Sequence, residues 1–119
     1  MTTSLYERLG GTEGITRIAS DVVDNHCTNP RISKRFANVD IPALKASAAA
    51  FFITGTGGPQ VYEGQDMETA HTGMNIDVEE FVAVLDDALA ALQKNEVGQR
   101  AQEEVLFVLY SMKGMIVHQ

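Results

Sequence analysis

The sequence predicts an all-α fold, on two main observations. Apolar residues recur every three or four positions along several segments, as they do on one face of an amphipathic helix. Alternation of apolar and polar residues is absent, and so are the Asn-Gly and Asp-Gly pairs typical of β-hairpins. With 119 residues, 45% of them apolar, the chain is long enough for one hydrophobic core. We therefore expect a single domain over residues 1–119.

The composition excludes several functional classes. Nine Lys and Arg residues against 16 Asp and Glu residues give a formal net charge of −7, which argues against a surface for nucleic acid or for anionic lipids. The apolar stretches are shorter than the roughly 20 residues that cross a bilayer, and the segment Met1–Ser4 lacks the basic region and following apolar run that mark a secretory leader. A single cysteine, Cys27, excludes an internal disulfide and a cysteine-rich zinc site. We expect a cytoplasmic protein that binds neither nucleic acid nor membranes.

The N-terminal half is predicted to hold three helices separated by glycine or proline. Ser4 and Glu7 fit a capping box that opens a short helix. A longer helix ends at Asn29-Pro30, and Asp40 with Pro42 predicts the start of the third. The predicted apolar faces are Ile15, Ile18, Ala19, Val22, Val23 and Cys27 on the second helix, and Leu44, Ala48, Phe51 and Phe52 on the third.

The C-terminal half is predicted to hold two further amphipathic helices. Asp77 and Glu80 fit a capping box at the start of the first, and the second begins near Gln99. Acidic pairs on these helices, such as Asp86 with Asp87, are expected to lie on solvated faces. The predicted apolar faces are Val78, Phe81, Val82, Leu85, Ala88, Leu89 and Leu92 on the first helix, and Val105, Val108, Leu109, Met112 and Ile116 on the second.

His71 is the residue that points to a chemical role. The spacing of Met67, Ala70, His71 and Met74 predicts a short helix with the histidine on an apolar face. In an ordinary core histidine, a backbone carbonyl and a water satisfy the two ring nitrogens. The alternative is axial ligation of a haem iron, for which neutral imidazole is a common donor. The residues around His71 leave both interpretations open.

Several ordered motifs resemble the truncated haemoglobins, most closely their first group. The segment Leu5–Gly11 is similar to the opening of that family, and Gly57-Gly58 to its second glycine pair. Tyr62-Glu63-Gly64 resembles its approach to the proximal helix, and Met67 and His71 match the Met-x-x-x-His motif that carries the proximal histidine. The resemblance implies a globin-like two-over-two helical sandwich around one haem b per chain, with His71 as the iron ligand.

The resemblance also implies which residues contact the haem. Phe36 matches a haem-stacking phenylalanine, and Phe51 and Phe52 match aromatic positions late in the distal helix. Ordinary core packing is the alternative role of each contact. Arg35 and Lys45 are alternative partners for a haem propionate. The further implied contacts are Leu44, Ala48, Tyr62, Met67, Ile76, Phe81 and Leu85.

The distal side is where the sequence departs from the family. Val23 stands where the group-one pattern has a tyrosine that hydrogen-bonds the ligand, and Leu44 and Ala48 complete the expected distal pocket. None of these side chains donates a hydrogen bond. We therefore expect a five-coordinate iron that releases dioxygen quickly. His26, three residues after Val23, is an alternative sixth ligand of the iron.

The resemblance implies reversible binding of dioxygen, carbon monoxide or nitric oxide, for oxygen transport, storage or gas sensing. An alternative function is that of a nitric oxide dioxygenase, which converts nitric oxide and dioxygen to nitrate and requires a reductase partner. A haem-free helical interaction module is a third hypothesis. We assign no residue a catalytic role, and the sequence leaves open whether the protein is an enzyme.

Overall fold

The computed structural model describes residues 3–64 and 66–118. Over these residues the chain is helical, without a strand, and a lone parallel bridge joins Ile76 to Val117. None of the helices in these two ranges is long and apolar enough to cross a membrane. The all-α prediction is confirmed. The helices are α1 (Leu5–Arg8), α2 (Gly11–Thr28), a 3-10 helix (Ser33–Phe36), α3 (Ile41–Gly55), α4 (Met67–His71), α5 (Val78–Lys94), α6 (Gln99–Tyr110) and α7 (Lys113–Ile116).

The predicted capping residues begin three of these helices. The carboxylate of Asp40 accepts a backbone N–H at 3.1 Å at the start of α3. Asp77 and Glu80 form the complete capping box at the start of α5. At α1 the box is only half formed, because Ser4 accepts from the Glu7 N–H while the Glu7 carboxylate accepts from the Ser4 hydroxyl at 3.5 Å.

Helix α2 is the central element of the fold, since it packs against α3, α5 and the 3-10 helix. Its predicted apolar face is confirmed except at one end, where Cys27 is half-buried and His26 is buried instead. Position 26 lies one turn after Val22 and faces the same neighbours, whereas position 27 is rotated a further step around the helix. The buried core cluster consists of Leu9, Ile15, Ile18, Val22, Ile53, Ala88, Ala91, Leu92, Ala101 and Val105.

The predicted apolar face of α5 is partly wrong. Phe81 and Leu92 are buried as expected, but Val78 and Val82 are 44% and 45% exposed. The helix packs on α2 through a neighbouring face, which leaves one apolar strip turned outward. The side chains of Leu85 and Leu89 are only half-buried, and Ala83, Asp87 and Ala91 join the buried face.

Helix α3 is apolar over most of its length but buries little of it. It packs chiefly against α2, and its buried residues are Ala49 and Ile53. The four residues of its predicted apolar face are all half-buried; they are Leu44, Ala48, Phe51 and Phe52. This helix therefore presents apolar side chains beyond those that α2 covers.

Helix α1 and the turn that follows α3 are held together by close backbone approach. The Tyr6 N–H donates to the Thr56 carbonyl at 2.9 Å. A Cβ atom at Gly58 would lie 2.4 Å from the Tyr6 ring, so only glycine fits there. In the first glycine pair, Gly10 and Gly11 have φ angles of 98° and 67°, which glycine adopts without strain.

The last segment forms two helices instead of the one predicted. A turn at Ser111 and Met112 separates α6 from α7. Helix α7 packs on α4, and the His118 N–H donates to the Ile76 carbonyl at 2.8 Å. The C-terminal residues thereby hold the segment that follows α4.

Candidate haem site

His71 is the last residue of α4, and its ring orientation is set by its own helix. The Nδ1 atom lies 2.6 Å from the carbonyl oxygen of Met67, one turn earlier. Because a carbonyl oxygen only accepts hydrogen bonds, Nδ1 carries the proton, and in the neutral ring the lone pair is on Nε2. His71 is half-buried. The Nε2 lone pair is therefore free to coordinate a metal ion, and the hydrogen bond of Nδ1 fixes the orientation of the ring.

Asp66 caps the start of α4, the short helix that carries His71. The Asp66 carboxylate accepts the Thr69 backbone N–H at 2.7 Å, and this bond together with the Thr69 side chain lowers the pKa of Asp66. The spacing of Met67, Ala70 and His71 did not predict this cap, although an acidic residue before a short helical segment is an N-cap signal. The predicted apolar face is shorter than expected, because α4 ends before Met74, whose side chain is 38% exposed.

Three of the predicted haem contacts form one aromatic cluster. The ring centroid of Phe51 lies 5.8 Å from that of Phe52 and 5.5 Å from that of Tyr62, both in edge-on geometry. The backbone N–H groups of Val61 and Tyr62 both donate to the Thr54 hydroxyl at 3.0 Å. These bonds fold the chain that leads to α4 back onto the end of α3. The aromatic cluster thus connects α3, which carries the distal candidates Leu44 and Ala48, to the segment that precedes α4.

His26, the alternative iron ligand, belongs to a buried polar cluster between α2 and α5. Its Nδ1 lies 2.7 Å from one carboxylate oxygen of Asp87, and the other oxygen accepts from the Asn29 amide at 3.0 Å. The His26 ring stacks on Phe36 with centroids 5.5 Å apart. The prediction that Asp87 lies on a solvated face is therefore wrong. The contacts of His26 with Asp87 and Phe36 argue against its role as a sixth ligand.

The remaining predicted contacts lie in different surroundings. Ile76 and Phe81 are buried, and the Phe81 ring lies 6.3 Å from that of Tyr110. Leu85 lines an outer groove with Phe107 and Tyr110, and none of the α3 or α4 candidates lines that groove. The groove thus separates Leu85 from the α3 and α4 candidates, but not from Phe81, whose ring neighbours the same Tyr110. On α2, Val23 is buried in the core.

Both cations considered for a haem propionate are bound to carboxylates of the chain. Arg35 donates two hydrogen bonds to Glu80, the one from Nη2 at 2.9 Å, and Lys45 lies 2.8 Å from Asp24. The hydrogen bond from Arg35 lowers the pKa of Glu80, and the same bond raises the pKa of Arg35. Neither cation is held free for an anionic ligand.

The donor set at His71 fits a haem better than a bare metal ion. Within residues 3–64 and 66–118, no three His, Cys, Asp or Glu side chains come together to hold an ion. One imidazole suffices for a haem, because the porphyrin supplies the other nitrogen donors. The half-buried apolar side chains of α3 and the Phe51–Tyr62 contact offer the surroundings that a flat apolar cofactor requires.

Comparison with known proteins agrees with this geometry. The family model of the bacterial-like globins matches residues 4–118. The group 1 truncated hemoglobin GlbN of Synechocystis sp. is 32% identical over 109 residues, which cover 88% of this chain and 88% of that protein. The group 1 truncated hemoglobin of Tetrahymena pyriformis is 26% identical, with coverage of 95% and 94%.

A solved structure extends the agreement to the fold. Truncated hemoglobin from Tetrahymena pyriformis in its Fe(III) form superposes with a TM-score of 0.94 at 24% identity. The match covers 98% of this chain and 100% of that chain. This chain therefore belongs to the bacterial-like globins, its relatives are group 1 truncated haemoglobins, and membership of the family implies that it binds haem.

Proposed function

We propose that this chain reversibly binds a diatomic gas at a haem iron that His71 ligates through Nε2. The 2.6 Å contact between His71 Nδ1 and the Met67 carbonyl carries the proposal, because it fixes the tautomer and the direction of the ring. When bound, haem b supplies an iron with an open coordination position for dioxygen, carbon monoxide or nitric oxide. The names of the relatives, which are haemoglobins, support the same function.

The residues that we propose hold the haem come mainly from α3, α4 and the segment between them. Phe51, Phe52 and Tyr62 contact one another edge to face, so each ring fixes the position of the next. Leu85 is left out of this set because it lines the groove between α5 and α6. The other proposed contacts are Phe36, Leu44, Ala48, Met67, Ile76 and Phe81.

The proposed distal pocket is apolar. Val23, Leu44 and Ala48 carry no hydrogen-bond donor in their side chains. A ligand that gains partial negative charge on binding, as dioxygen does, receives no stabilisation from them, whereas carbon monoxide loses little. We therefore propose a five-coordinate iron, rapid release of dioxygen and weak discrimination against carbon monoxide.

Haem titration of the purified chain tests the proposal. We expect a Soret band on addition of haem and a further shift when carbon monoxide is added to the reduced protein. His71→Gly is expected to abolish the iron–histidine stretch in the resonance Raman spectrum, and free imidazole is expected to restore a five-coordinate spectrum. His118→Ala serves as the control because His118 is exposed and lies in the C-terminal segment.

Two outcomes would count against this function. An iron–histidine stretch that is unchanged in His71→Gly would show that another residue ligates the iron. Rapid catalytic consumption of nitric oxide by the haem-loaded protein, with dioxygen and an electron donor present, would favour the dioxygenase instead of a reversible carrier.

A further inference from the structure

An open groove of about 420 Å³ lies between helices α5 and α6 on the outside of the molecule. Phe107 is 74% exposed and Tyr110 is 57% exposed. Val78 and Val82 lie on the same side of α5 as Leu85, so they extend the apolar strip towards the start of the helix. Scattered apolar side chains are normal on a surface, but a continuous strip with two aromatic rings marks an interaction site. The groove is lined by Leu85, Asp86, Leu89, Glu103, Leu106, Phe107 and Tyr110.

Each wall of the groove carries one carboxylate, Asp86 on α5 and Glu103 on α6. Neither forms an ion pair with any residue in the part of the chain that the structure describes. Other acidic residues of the same two helices do have cationic partners: Glu79, Glu80 and Glu104 pair with arginines. The groove therefore combines an apolar floor with two carboxylates that lack a counter-charge.

One cation lies at the edge of this groove. The Lys113 ammonium lies 5.7 Å from the centroid of the Tyr110 ring, where it has a cation–π contact. It does not ion-pair with Asp86 or Glu103 among the described contacts. The charge left for a partner to neutralise is therefore negative.

We propose that this groove docks an amphipathic helix of a partner protein whose apolar face is flanked by lysine or arginine. Apolar side chains of the partner enter between Leu85 and Phe107, and its cations meet Asp86 and Glu103. A second copy of this chain is a poorer occupant. A twofold contact brings the same face of both copies together, so it places four carboxylates in one interface between chains of net charge −7.

A peptide binding experiment on the haem-loaded chain tests this proposal. The probe is an amphipathic helical peptide built from leucine and lysine with one tryptophan on its apolar face. The chain itself contains no tryptophan, so quenching of the peptide fluorescence reports binding. We expect binding that weakens as salt is added, and at least tenfold weaker binding of a matched peptide with glutamate in place of lysine.

Two variants locate the binding in the groove. Phe107→Ser removes the most exposed ring and is expected to weaken binding at least tenfold without loss of helicity, since that side chain is 74% exposed. The double variant Asp86→Asn with Glu103→Gln is expected to weaken it by a similar factor and to remove most of the salt dependence. The matched controls are Val39→Ser, another exposed apolar site, and Glu13→Gln with Glu68→Gln, which changes the net charge equally; both are expected to bind as the unmodified chain does.

Several results would overturn the proposal. Equal binding of the lysine and glutamate peptides would exclude charge complementarity. An equal loss of binding in the control Glu13→Gln with Glu68→Gln would show that the effect comes from the net charge of the chain and not from the carboxylates of the groove. Concentration-dependent dimerisation that Phe107→Ser abolishes would assign this face to a second copy of the chain.

Discussion

Two histidines of this chain use the same ring nitrogen in different ways. His26 directs Nδ1 to a carboxylate on another helix, Asp87 of α5, and both residues are buried. His71 directs Nδ1 to a carbonyl of its own helix, that of Met67, and is half-buried. The hydrogen bond of His26 joins α2 to α5. The hydrogen bond of His71 stays within α4, where it orients the imidazole ring. The first arrangement stabilises the fold, and the second suits a metal ligand.

The surroundings of the two histidines also point to a structural role for His26 and a ligand-binding role for His71. His26 stacks on Phe36, and its partner Asp87 also accepts from the Asn29 amide. Helix α4, which carries His71, has only five residues and packs mainly on the short helix α7. A segment with so few core contacts adds little to stability and can adjust to a ligand. Variants of the two regions should therefore affect different measurable quantities.

The largest expected effect is on stability, at the His26 cluster. Asp87→Ala leaves the Nδ1–H of His26 without a partner in a buried site and removes the acceptor of the half-buried Asn29 amide, so we expect a loss of about 3–5 kcal/mol in the free energy of unfolding. Urea denaturation followed by circular dichroism measures it. The neighbouring Asp86→Ala, at an exposed carboxylate, is the control and should change stability by no more than about 0.5 kcal/mol. A similar small change for Asp87→Ala would contradict the structural role of His26.

The next effect is on ligand chemistry, in the proposed distal pocket of the His71 site. Leu44→Gln supplies an amide donor and should stabilise bound dioxygen by about 1–3 kcal/mol, which slows its dissociation roughly 5- to 150-fold. Stopped-flow measurement of dioxygen and carbon monoxide dissociation tests this, and the carbon monoxide rate should change much less. Leu44→Met preserves the apolar character and is the control. An unchanged dioxygen rate would place Leu44 outside the distal pocket.

The smallest effect concerns the ion pair that joins the 3-10 helix to α5. Arg35 lowers the pKa of Glu80 in the folded chain, so the charged carboxylate stabilises the fold above the ordinary glutamate pKa. This contribution is lost as the pH falls through the lowered pKa. Glu80→Gln retains the hydrogen-bonding capacity of the cap but removes the charge, and we expect it to cost about 1 kcal/mol or less at neutral pH.

Urea denaturation over a range of acidic pH measures that dependence. The difference between Glu80→Gln and the unmodified chain should shrink towards zero as Glu80 becomes protonated. The exposed residue Glu79, whose pair with Arg31 is more solvated, provides the control: Glu79→Gln should show a smaller difference at every pH. A Glu80 difference that does not change with pH would mean that its role is only that of a helix cap.

The sequence alone determined where most of the helices begin, and it determined the family. Asp40 and the Asp77–Glu80 box begin their helices as predicted, and α4 ends at His71 within the recognised motif. Capping and periodicity depend on residues within one or two turns, so the sequence contains all that they require. The glycine pairs and the Met-x-x-x-His spacing are likewise local, and they identified the relatives correctly.

Only the tertiary structure decided which side of α5 is covered and by which neighbours. Asp87 looks like part of a solvated acidic pair until α5 packs on α2 and meets His26. The same packing turns Val82 outward, and the approach of the 3-10 helix to α5 gives Arg35 its carboxylate partner. These outcomes depend on contacts between residues 45 to 61 positions apart in the sequence. A helical pattern predicts which residues share one face of a helix, but not which other helix packs against that face.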